Sequence, residues 1–349
     1  MRFGIWTPLP HTIRPEPRMQ DAVVELTTPG SGDGPDNSYQ FALDIVRTAE
    51  DAGFHSTLIA QRYLGPDLDS WMLASALAAQ TSTIEIMPAV HPGIVLPQLA
   101  AKFGATLDRI SGGRAAINII NGWWADEFNM YGNGSWLDDP EARGRRMDEF
   151  LTVLKGLWVG SPFTFEGEFF RLADGRLPTA PRSRPYPPLY AASRSGPGKD
   201  SIARHCDVWF ASYKPGYRNF DDNIAGMGRD VTDMNQRAKA QGRKLRYGLS
   251  THMICCDSLP EAHAQADALE TYGATNRIAL VPALALGAGL VGTSDLIIDR
   301  IHQYEALGID LLMLHFHPMM DGLHTFIDRI MPKLSQMTEP HPVVRSIAS

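Results

Sequence analysis

The chain has 349 residues, of which 44% are hydrophobic, and it carries 32 Lys and Arg against 39 Asp and Glu, for a net charge of −7. This length can bury a large core, and the acidic balance without a basic tract disfavours nucleic acid and anionic membrane surfaces as partners. No apolar run approaches the ~20 residues that a membrane helix needs, so we expect a cytoplasmic protein.

Short β-rich runs alternate with longer helical runs along the chain. The predicted strands are residues 3–8, 57–61, 85–90, 115–121, 188–193, 208–212, 246–255 and 311–316. The predicted helices are residues 39–52, 70–80, 97–110, 140–158, 200–205, 221–242, 260–272 and 293–307, most with apolar residues at helical spacing. Eight strands that are each followed by a helix predict an α/β fold, a (β/α)₈ TIM barrel that spans residues 1–349 as one domain. A doubly wound open sheet is disfavoured because no G-x-G-x-x-G follows the first strand.

Three segments interrupt this alternation. Residues 11–38 are rich in Pro, Gly and polar side chains, and residues 159–187 contain a predicted hairpin at 163–170. Residues 274–292 are apolar and glycine-rich, which is typical of a mobile flap. Long loops in a barrel are frequently functional, so residues 11–38 and 274–290 are candidate lids.

Polar residues are numerous where the predicted strands end, which is where a barrel of this kind forms its active site. They are His11, Gln61, Arg62, His91, Asn121, Ser193, Ser195, Ser212, Tyr213, Ser250, His252, His315 and His317. Histidines at this rim would suit proton transfer or the stabilisation of a developing anion, although any one of them alone could be structural. The tryptophans Trp6, Trp71, Trp123 and Trp124 could form flat apolar walls or ordinary core packing. The odd cysteine count and the lack of metal-ligand spacing disfavour structural disulfides and a zinc site.

The segments ATLDR at 105–109 and SGGRAAINIINGW at 111–123 strongly resemble the bacterial luciferase-like flavin monooxygenases. The resemblance is to the branch that contains alkanesulfonate, dimethyl sulfone and pyrimidine monooxygenases. Collinear support comes from residues 127–128, 143–150, 163–170, 186–190, 242–246, 290–293 and 308–310, so the resemblance spans nearly the whole chain.

This resemblance implies that FMN is bound at the carboxyl-end rim of the barrel. Gln61 and Arg62 would lie near the flavin ring, and Asn118 and Glu127 would hydrogen-bond the ring or its ribityl chain. Arg143, Ser193, Arg194 and Ser195 would surround the phosphate. Arg supplies charge-assisted hydrogen bonds, and Ser195 stands near a helix start, where free backbone N–H groups favour an anion. Glu127 and Arg143 could instead form a surface salt bridge.

The sequence also departs from the family pattern. Gly144 occupies a position where the family often has a tyrosine, so part of the phosphate grip must come from elsewhere or be weaker, and Arg194 is a candidate to compensate for it. Asp67, Ser250 and His317 replace a cysteine, an arginine and a tyrosine of the alkanesulfonate enzymes, whereas His11 and His252 match that branch. The substrate pocket is thus rebuilt around retained histidines.

The resemblance therefore implies an FMNH₂- and O₂-dependent monooxygenase that receives reduced flavin from a separate NAD(P)H-dependent flavin reductase. We expect a small organosulfur substrate, either a sulfonate, sulfosugars included, or a sulfone, and cleavage of its C–S bond. The expected catalytic residues are His252 and His11, and the expected substrate-binding residues are His317, Trp71, Trp6 and Arg277.

Several alternatives stay open at this point. The substrate could be another small molecule such as a heterocycle, the enzyme could be a deazaflavin-dependent oxidoreductase, or the protein could bind flavin without catalysis. For an anionic sulfonate, the available cations are Arg62, Arg194 and Arg277. Analogy with the family suggests a homodimer or a homotetramer, and no metal is expected.

Overall fold

Eight parallel strands form a closed barrel in the computed structural model of the chain. The structure describes residues 1–7, 38–65, 67–160, 162–275, 277–316 and 318–335, without the side chains of residues 277–279 and 282. The barrel strands are β1 (Arg2–Trp6), β2 (Ser56–Ile59), β3 (Glu85–Val90), β4 (Ile117–Ile119), β7 (Leu189–Ala191), β8 (Val208–Phe210), β9 (Arg246–His252) and β12 (Ile309–His315). Each strand pairs in parallel with its neighbours in chain order, and β12 closes the ring against β1. The predicted (β/α)₈ TIM barrel is confirmed.

Helices pack around this ring. They are α1 (Ser38–Asp51), α2 (Ser70–Gln80), α3 (Pro97–Ile110), α4 (Ala125–Met130), α5 (Pro140–Val159), α6 (Gly196–His205), α7 (Phe220–Ala240), α8 (Leu259–Thr275), α9 (Arg277–Ala285), α10 (Ser294–Ala306), α11 (Met319–Arg329) and α12 (Met331–Ser335). The starts of α2 and α5 follow from the sequence, since Asp69 and Asp139 cap backbone N–H groups of the first turn with their carboxylates. No helix within the described ranges is long and apolar enough to cross a membrane.

The barrel interior is filled by side chains from alternate positions along the strands. They form a buried cluster of Leu58, Met87, Ala116, Tyr190, Val208, Phe210, Leu311 and Met313. Gly4 belongs to this layer, because a Cβ there would lie 2.2 Å from the sulfur of Met313. These side chains fill the barrel interior, as is usual for this fold.

The SGGR segment has a structural role at the opposite end of the barrel. Gly112 and Gly113 have φ angles of +72° and +97°, which favour glycine. Arg114 donates hydrogen bonds to the carbonyl oxygens of Ile84 at 2.7 Å and Ala78 at 2.9 Å. The motif that carries most of the family resemblance thus stabilises the amino-end face.

The structure differs from the predicted elements in a few places. The predicted strand 246–255 is broken after His252, and a separate strand β10 (Ile254–Cys255) pairs with β11 (Val291–Gly292). The expectation that residues 274–292 form a loop was wrong, because most of this segment forms α9 and a 3₁₀ turn, Leu286–Ala288. The predicted hairpin is confirmed as β5 (Phe163–Glu166) and β6 (Arg171–Gly175), which pair antiparallel.

Candidate active site

A cavity of about 210 Å³ lies at the carboxyl ends of β1 to β4, and we call it the barrel-mouth cavity. Its described lining residues are Trp6, Leu58, Ala60, Gln61, Arg62, Ala89, His91, Asn118, Ile120, Trp123 and Val281. The wall is mostly apolar, with a few polar groups at strand ends, which is the usual composition of a small-molecule site. Val281 comes from α9, so the segment predicted as a lid does reach the cavity.

The side-chain amides of Gln61 and Asn118 line the cavity and differ in the hydrogen bonds that their oxygens accept. The Gln61 Oε1 atom accepts a hydrogen bond of 2.8 Å from the Ser70 backbone N–H at the start of α2, so its amide is held in one orientation. The Asn118 Oδ1 atom is buried without a hydrogen-bond donor among the described residues. Since a buried polar atom is costly when unpaired, Asn118 is suited to accept a hydrogen bond from a ligand N–H.

Arg62 is held in a buried ion pair beside the cavity. Its Nε and Nη2 atoms donate to the two carboxylate oxygens of Asp67 at 2.6 and 2.7 Å. Gly65 lies against this pair, because a Cβ there would be 2.6 Å from Asp67 Oδ2. The sequence offered Arg62 as a free cation for a sulfonate, but its charge is already balanced by Asp67.

Glu127 lies in the first turn of α4 and supports the same loop. Its Oε1 atom accepts from the Leu64 backbone N–H at 3.2 Å, and burial raises the pKa of its carboxyl. Its Oε2 atom is buried without a partner within the described part of the chain. Glu127 is therefore fully buried, and the alternative that it forms a surface salt bridge is wrong.

His91 directly follows β3 and contributes a buried imidazole to the wall of the cavity. The ring is 1% exposed, and neither nitrogen meets a hydrogen-bond partner among the described residues. The rings of Tyr63 and Phe128 stand edge-on to it, with centroids at 5.8 and 5.9 Å. Burial lowers the pKa of His91 to about 4, so the imidazole is neutral at physiological pH.

Two further histidines form a pair on the inner side of the barrel. His252 and His315 stand opposite each other in the register of β9 and β12, and their Nδ1 atoms lie 2.7 Å apart. One ring must donate and the other accept, because a single hydrogen occupies such a contact. Trp6, which lines the barrel-mouth cavity, stands edge-on to His315 with centroids 6.2 Å apart. The pair thus adjoins the cavity behind this tryptophan.

A second cavity of about 390 Å³ opens between α6, α7 and the loops after β7 and β8, and we call it the Ser193 cavity. Its charged lining residues are Arg194, Lys199, Lys214, Asp222, Arg229 and Asp230. Ser193 and Ser195 place their hydroxyl oxygens 3.3 Å apart, and Ser195 caps α6 by accepting from the Gly198 N–H at 3.2 Å. A Cβ at Gly198 would lie 1.9 Å from Ser193 Oγ, so only glycine keeps this cradle open.

Arg143 and Gly144 lie in the first turns of α5. Arg143 donates from Nη1 to the carbonyl oxygen of Leu137 at 2.5 Å and stacks over the Trp136 ring at 4.7 Å. Gly144 faces the start of α6, where a Cβ would lie 2.7 Å from Gly198 N. Arg143 is thus held in its own loop rather than in a surface ion pair with Glu127.

The remaining predicted residues are divided between described and undescribed parts of the chain. Trp71 packs between α2 and α3, with its ring 5.6 Å from that of Phe103, and it does not line the barrel-mouth cavity. Arg277 begins α9, and its side chain lies outside the described structure, as do His11 and His317. His91 and His315 were predicted to lie at the rim but were not assigned a catalytic or binding role. Lys199 and Lys214 of the Ser193 cavity were not predicted as site residues.

The two cavities neighbour each other around the rim, because β4 of the first is paired with β7 of the second. One is apolar with buried hydrogen-bonding groups, and the other is polar with cations and a helix N-terminus. This arrangement fits an elongated ligand with a flat ring at one end and an anionic group at the other.

Comparison with known proteins agrees with the fold. The family model for luciferase-like monooxygenases matches residues 1–311, and the chain belongs to this family.

Two curated relatives are similar over nearly their full length. An FMNH₂-dependent dimethylsulfone monooxygenase of Pseudomonas putida is 27% identical over 337 residues, which cover 87% of this chain and 90% of that protein. An enzyme of the same name from Pseudomonas fluorescens (strain Pf0-1) is 29% identical over 327 residues, covering 84% and 86%. The solved structure of DmoA from Hyphomicrobium sulfonivorans superposes with a TM-score of 0.72 at 18% identity, over 96% of this chain and 87% of that one.

Proposed function

We propose that this protein is an FMNH₂- and O₂-dependent monooxygenase that cleaves a C–S bond of a small organosulfur compound. For dimethyl sulfone the balanced reaction converts the sulfone, O₂ and FMNH₂ into methanesulfinic acid, formaldehyde, FMN and water. For a sulfonate the products are sulfite and a carbonyl compound. The observation that carries the proposal is that two cavities lie side by side on the rim of a luciferase-like barrel. The barrel-mouth cavity is apolar with buried hydrogen-bonding groups. The Ser193 cavity adjoins residues 193–195 before α6, which we call the phosphate-type cradle.

The residues present fit reduced FMN. Asn118 offers a buried acceptor with no donor in the described structure, which suits a ring N–H group. Gln61 and Arg62 border the same cavity. Ser193, Arg194 and Ser195 directly precede α6, where two hydroxyl groups, a guanidinium and the positive end of the helix dipole favour a phosphate. Bound there, the flavin supplies the two electrons that activate dioxygen.

The protein itself must exclude water and handle protons. Trp6, Ile120 and Trp123 line the cavity with apolar surface, and Val281 of α9 closes one side as a lid residue. The His252–His315 pair holds a proton between two ring nitrogens next to Trp6, so it can take up or deliver one during turnover. We assign His252 a proton-transfer role and extend it to His315, and we retain His11 as a second candidate.

A separate NAD(P)H-dependent reductase supplies FMNH₂ in this proposal, because both dimethylsulfone relatives are named for their dependence on the reduced cofactor. We place the reaction in the cytoplasm within a single-domain enzyme. The three free thiols, Cys206, Cys255 and Cys256, suit a reducing compartment.

We further propose a homo-oligomer, either a dimer or a tetramer. Large apolar side chains stand exposed on the neighbouring helices α2 and α3 and at the N-cap of α3: Met72 is 67% exposed, Leu96 52% and Leu99 48%. A second copy of the chain that covers this α2–α3 face would remove them from water.

The test combines binding with product analysis. FMNH₂ is titrated anaerobically, and the protein is then supplied with a flavin reductase, NADH, oxygen and either dimethyl sulfone or short alkanesulfonates. The proposal expects formaldehyde together with methanesulfinate or sulfite in proportion to the NADH consumed, while catalase removes peroxide from uncoupled flavin oxidation. Tight flavin binding with NADH consumption but no sulfur product from any candidate would contradict it and would favour a heterocycle substrate.

A further inference from the structure

The barrel-mouth cavity contains a hydrogen-bonding group that the fold does not use. Both nitrogens of His91 are buried without a partner among the described residues, and the edge-on rings of Tyr63 and Phe128 restrict the orientation of the imidazole. A buried imidazole of this kind is stabilised when a ligand supplies the missing contact. His91 therefore has the features of a ligand-binding residue.

The charge of the cavity points to the class of that ligand. Arg62 is the one Lys or Arg among the described lining residues, and Asp67 binds its guanidinium through both carboxylate oxygens. The side chains of Arg62 and Asp67 are 3% and 9% exposed, so water does little to weaken the pair. An anion that entered the cavity would lose its hydration and meet a cation that is already neutralised.

We propose that His91 is a specificity-determining residue that donates a hydrogen bond to an uncharged oxygen of the substrate, and that the Arg62–Asp67 pair makes the cavity select neutral molecules over anions. This rests on the proposed function and narrows it, because a sulfone carries no charge whereas a sulfonate is an anion. A neutral imidazole has one N–H to give to a sulfonyl oxygen. The carbonyl oxygens of a flavin ring have the same chemistry, so the experiment must separate the two sources.

Dimethyl sulfone and methanesulfonate are nearly the same size and differ in charge, which makes them a matched pair of probes. Their binding is measured by calorimetry on the protein loaded with oxidised FMN, so that no turnover is needed. For the wild type we expect dimethyl sulfone to bind at least about tenfold more tightly than methanesulfonate. A difference of this size is expected when one charged group is buried without a partner.

Variants then assign the effect to residues. His91→Leu is expected to weaken dimethyl sulfone binding about tenfold and to leave FMN affinity unchanged, and His91→Asn, which keeps an N–H donor, to restore part of it. Asp67→Asn frees the charge of Arg62 and is expected to tighten methanesulfonate binding about tenfold while sulfone binding changes little. Asp126→Asn, which removes an exposed carboxylate bonded to the Trp124 indole, is the matched control. Circular dichroism checks that each variant is folded.

Each alternative outcome has a distinct meaning. If methanesulfonate binds the wild type as tightly as the sulfone, the charge selection is wrong even when the turnover assay confirms a monooxygenase. If His91→Leu weakens FMN and not the sulfone, the histidine belongs to the flavin and the assignment to substrate is overturned. If neither probe binds the FMN-loaded protein, the organosulfur function fails and this inference fails with it.

Discussion

Three buried histidines stand at the carboxyl ends of barrel strands, and they differ in what their ring nitrogens contact. His252 and His315 satisfy one nitrogen of each ring through their mutual bond. The ring nitrogens of His91 have no hydrogen-bond partner among the described residues, and the rings of Tyr63 and Phe128 stand edge-on to it. The pair is therefore suited to moving a proton, and the isolated ring is suited to binding a neutral group.

The isolation of His91 predicts a pH-dependent stability. Its pKa is about 4 in the folded protein, below its usual value of 6.5, so below pH 6.5 the unfolded chain binds a proton that the folded chain does not. The free energy of unfolding should therefore fall as the pH drops from 6.5 to 4, by up to about 3 kcal/mol from this residue. Urea unfolding at pH 7.5 and 4.5 measures this decrease in the free energy of unfolding. The decrease should be smaller in His91→Leu than in the wild type.

The control for this prediction removes a different imidazole. His324 lies exposed on α11, and His324→Leu should leave the loss between the two pH values as large as in the wild type. An equal loss in wild type and His91→Leu would show that the buried ring is not its source.

The histidine pair predicts a change in turnover rather than in binding. His315→Leu removes the partner of the His252 Nδ1 atom, and we expect kcat to fall about tenfold to a hundredfold with an altered pH profile, because one proton position is lost. The KM for sulfone and the FMN affinity should change little. His315→Asn, which restores a short polar partner, should recover part of kcat. A leucine variant with wild-type kcat and pH profile would exclude a role for the pair in proton transfer.

At the scale of secondary structure elements, α5 and α6 approach each other closely near the phosphate-type cradle. Gly144 lets the two helices meet, since a Cβ there would lie 2.7 Å from Gly198 N and 3.0 Å from Pro197 Cβ. The same approach explains why this chain has no tyrosine at the position: the space is filled by the start of α6. The phosphate grip must therefore come from the α6 side, where Ser193, Arg194 and Ser195 lie.

This contact predicts that Gly144→Ala weakens both packing and cofactor binding. The added methyl group forces α6 away from α5, so we expect a loss of about 1–3 kcal/mol in unfolding free energy and a higher Kd for FMN. Gly160→Ala is the control at the other end of α5, where a Cβ meets no atom within 4 Å. Equal stability and FMN affinity in the two variants would show that the helices adjust without consequence for the cradle.

At the scale of the whole molecule, the exposed α2–α3 face predicts self-association. Met72→Glu combined with Leu99→Glu places charges on that face, and we expect the oligomer to dissociate toward monomers in sedimentation velocity experiments. Val159→Glu changes an equally exposed apolar residue at the end of α5 and should not alter the mass. If the wild type sediments as a monomer, the proposed homo-oligomer is wrong.

The barrel could be predicted from the sequence because its signals are local. Each strand is a short apolar run, most of the following helices repeat their apolar positions at helical spacing, and all eight barrel strands overlap their predicted ranges. The flap at 274–292 was mistaken for a loop because its glycines follow α9, at Gly287 and Gly289 in and after the 3₁₀ turn and at Gly292 in β11. The helix itself is mostly apolar and shows little of the polar and apolar alternation of an amphipathic helix.

By itself, the sequence determined the fold class, the rim on which function lies and a set of polar residues at the strand ends, because periodicity and strand order are properties of neighbouring residues. Only the tertiary structure decided which of those residues are neutralised, paired or isolated. Asp67 balances Arg62, and the register of β9 and β12 brings His315 to His252 across 63 positions. The nitrogens of His91 have no hydrogen-bond partner in the described part of the chain. Charge and hydrogen bonding in a buried site depend on contacts through space and on exclusion from water, and neither is written in the spacing of residues along the chain.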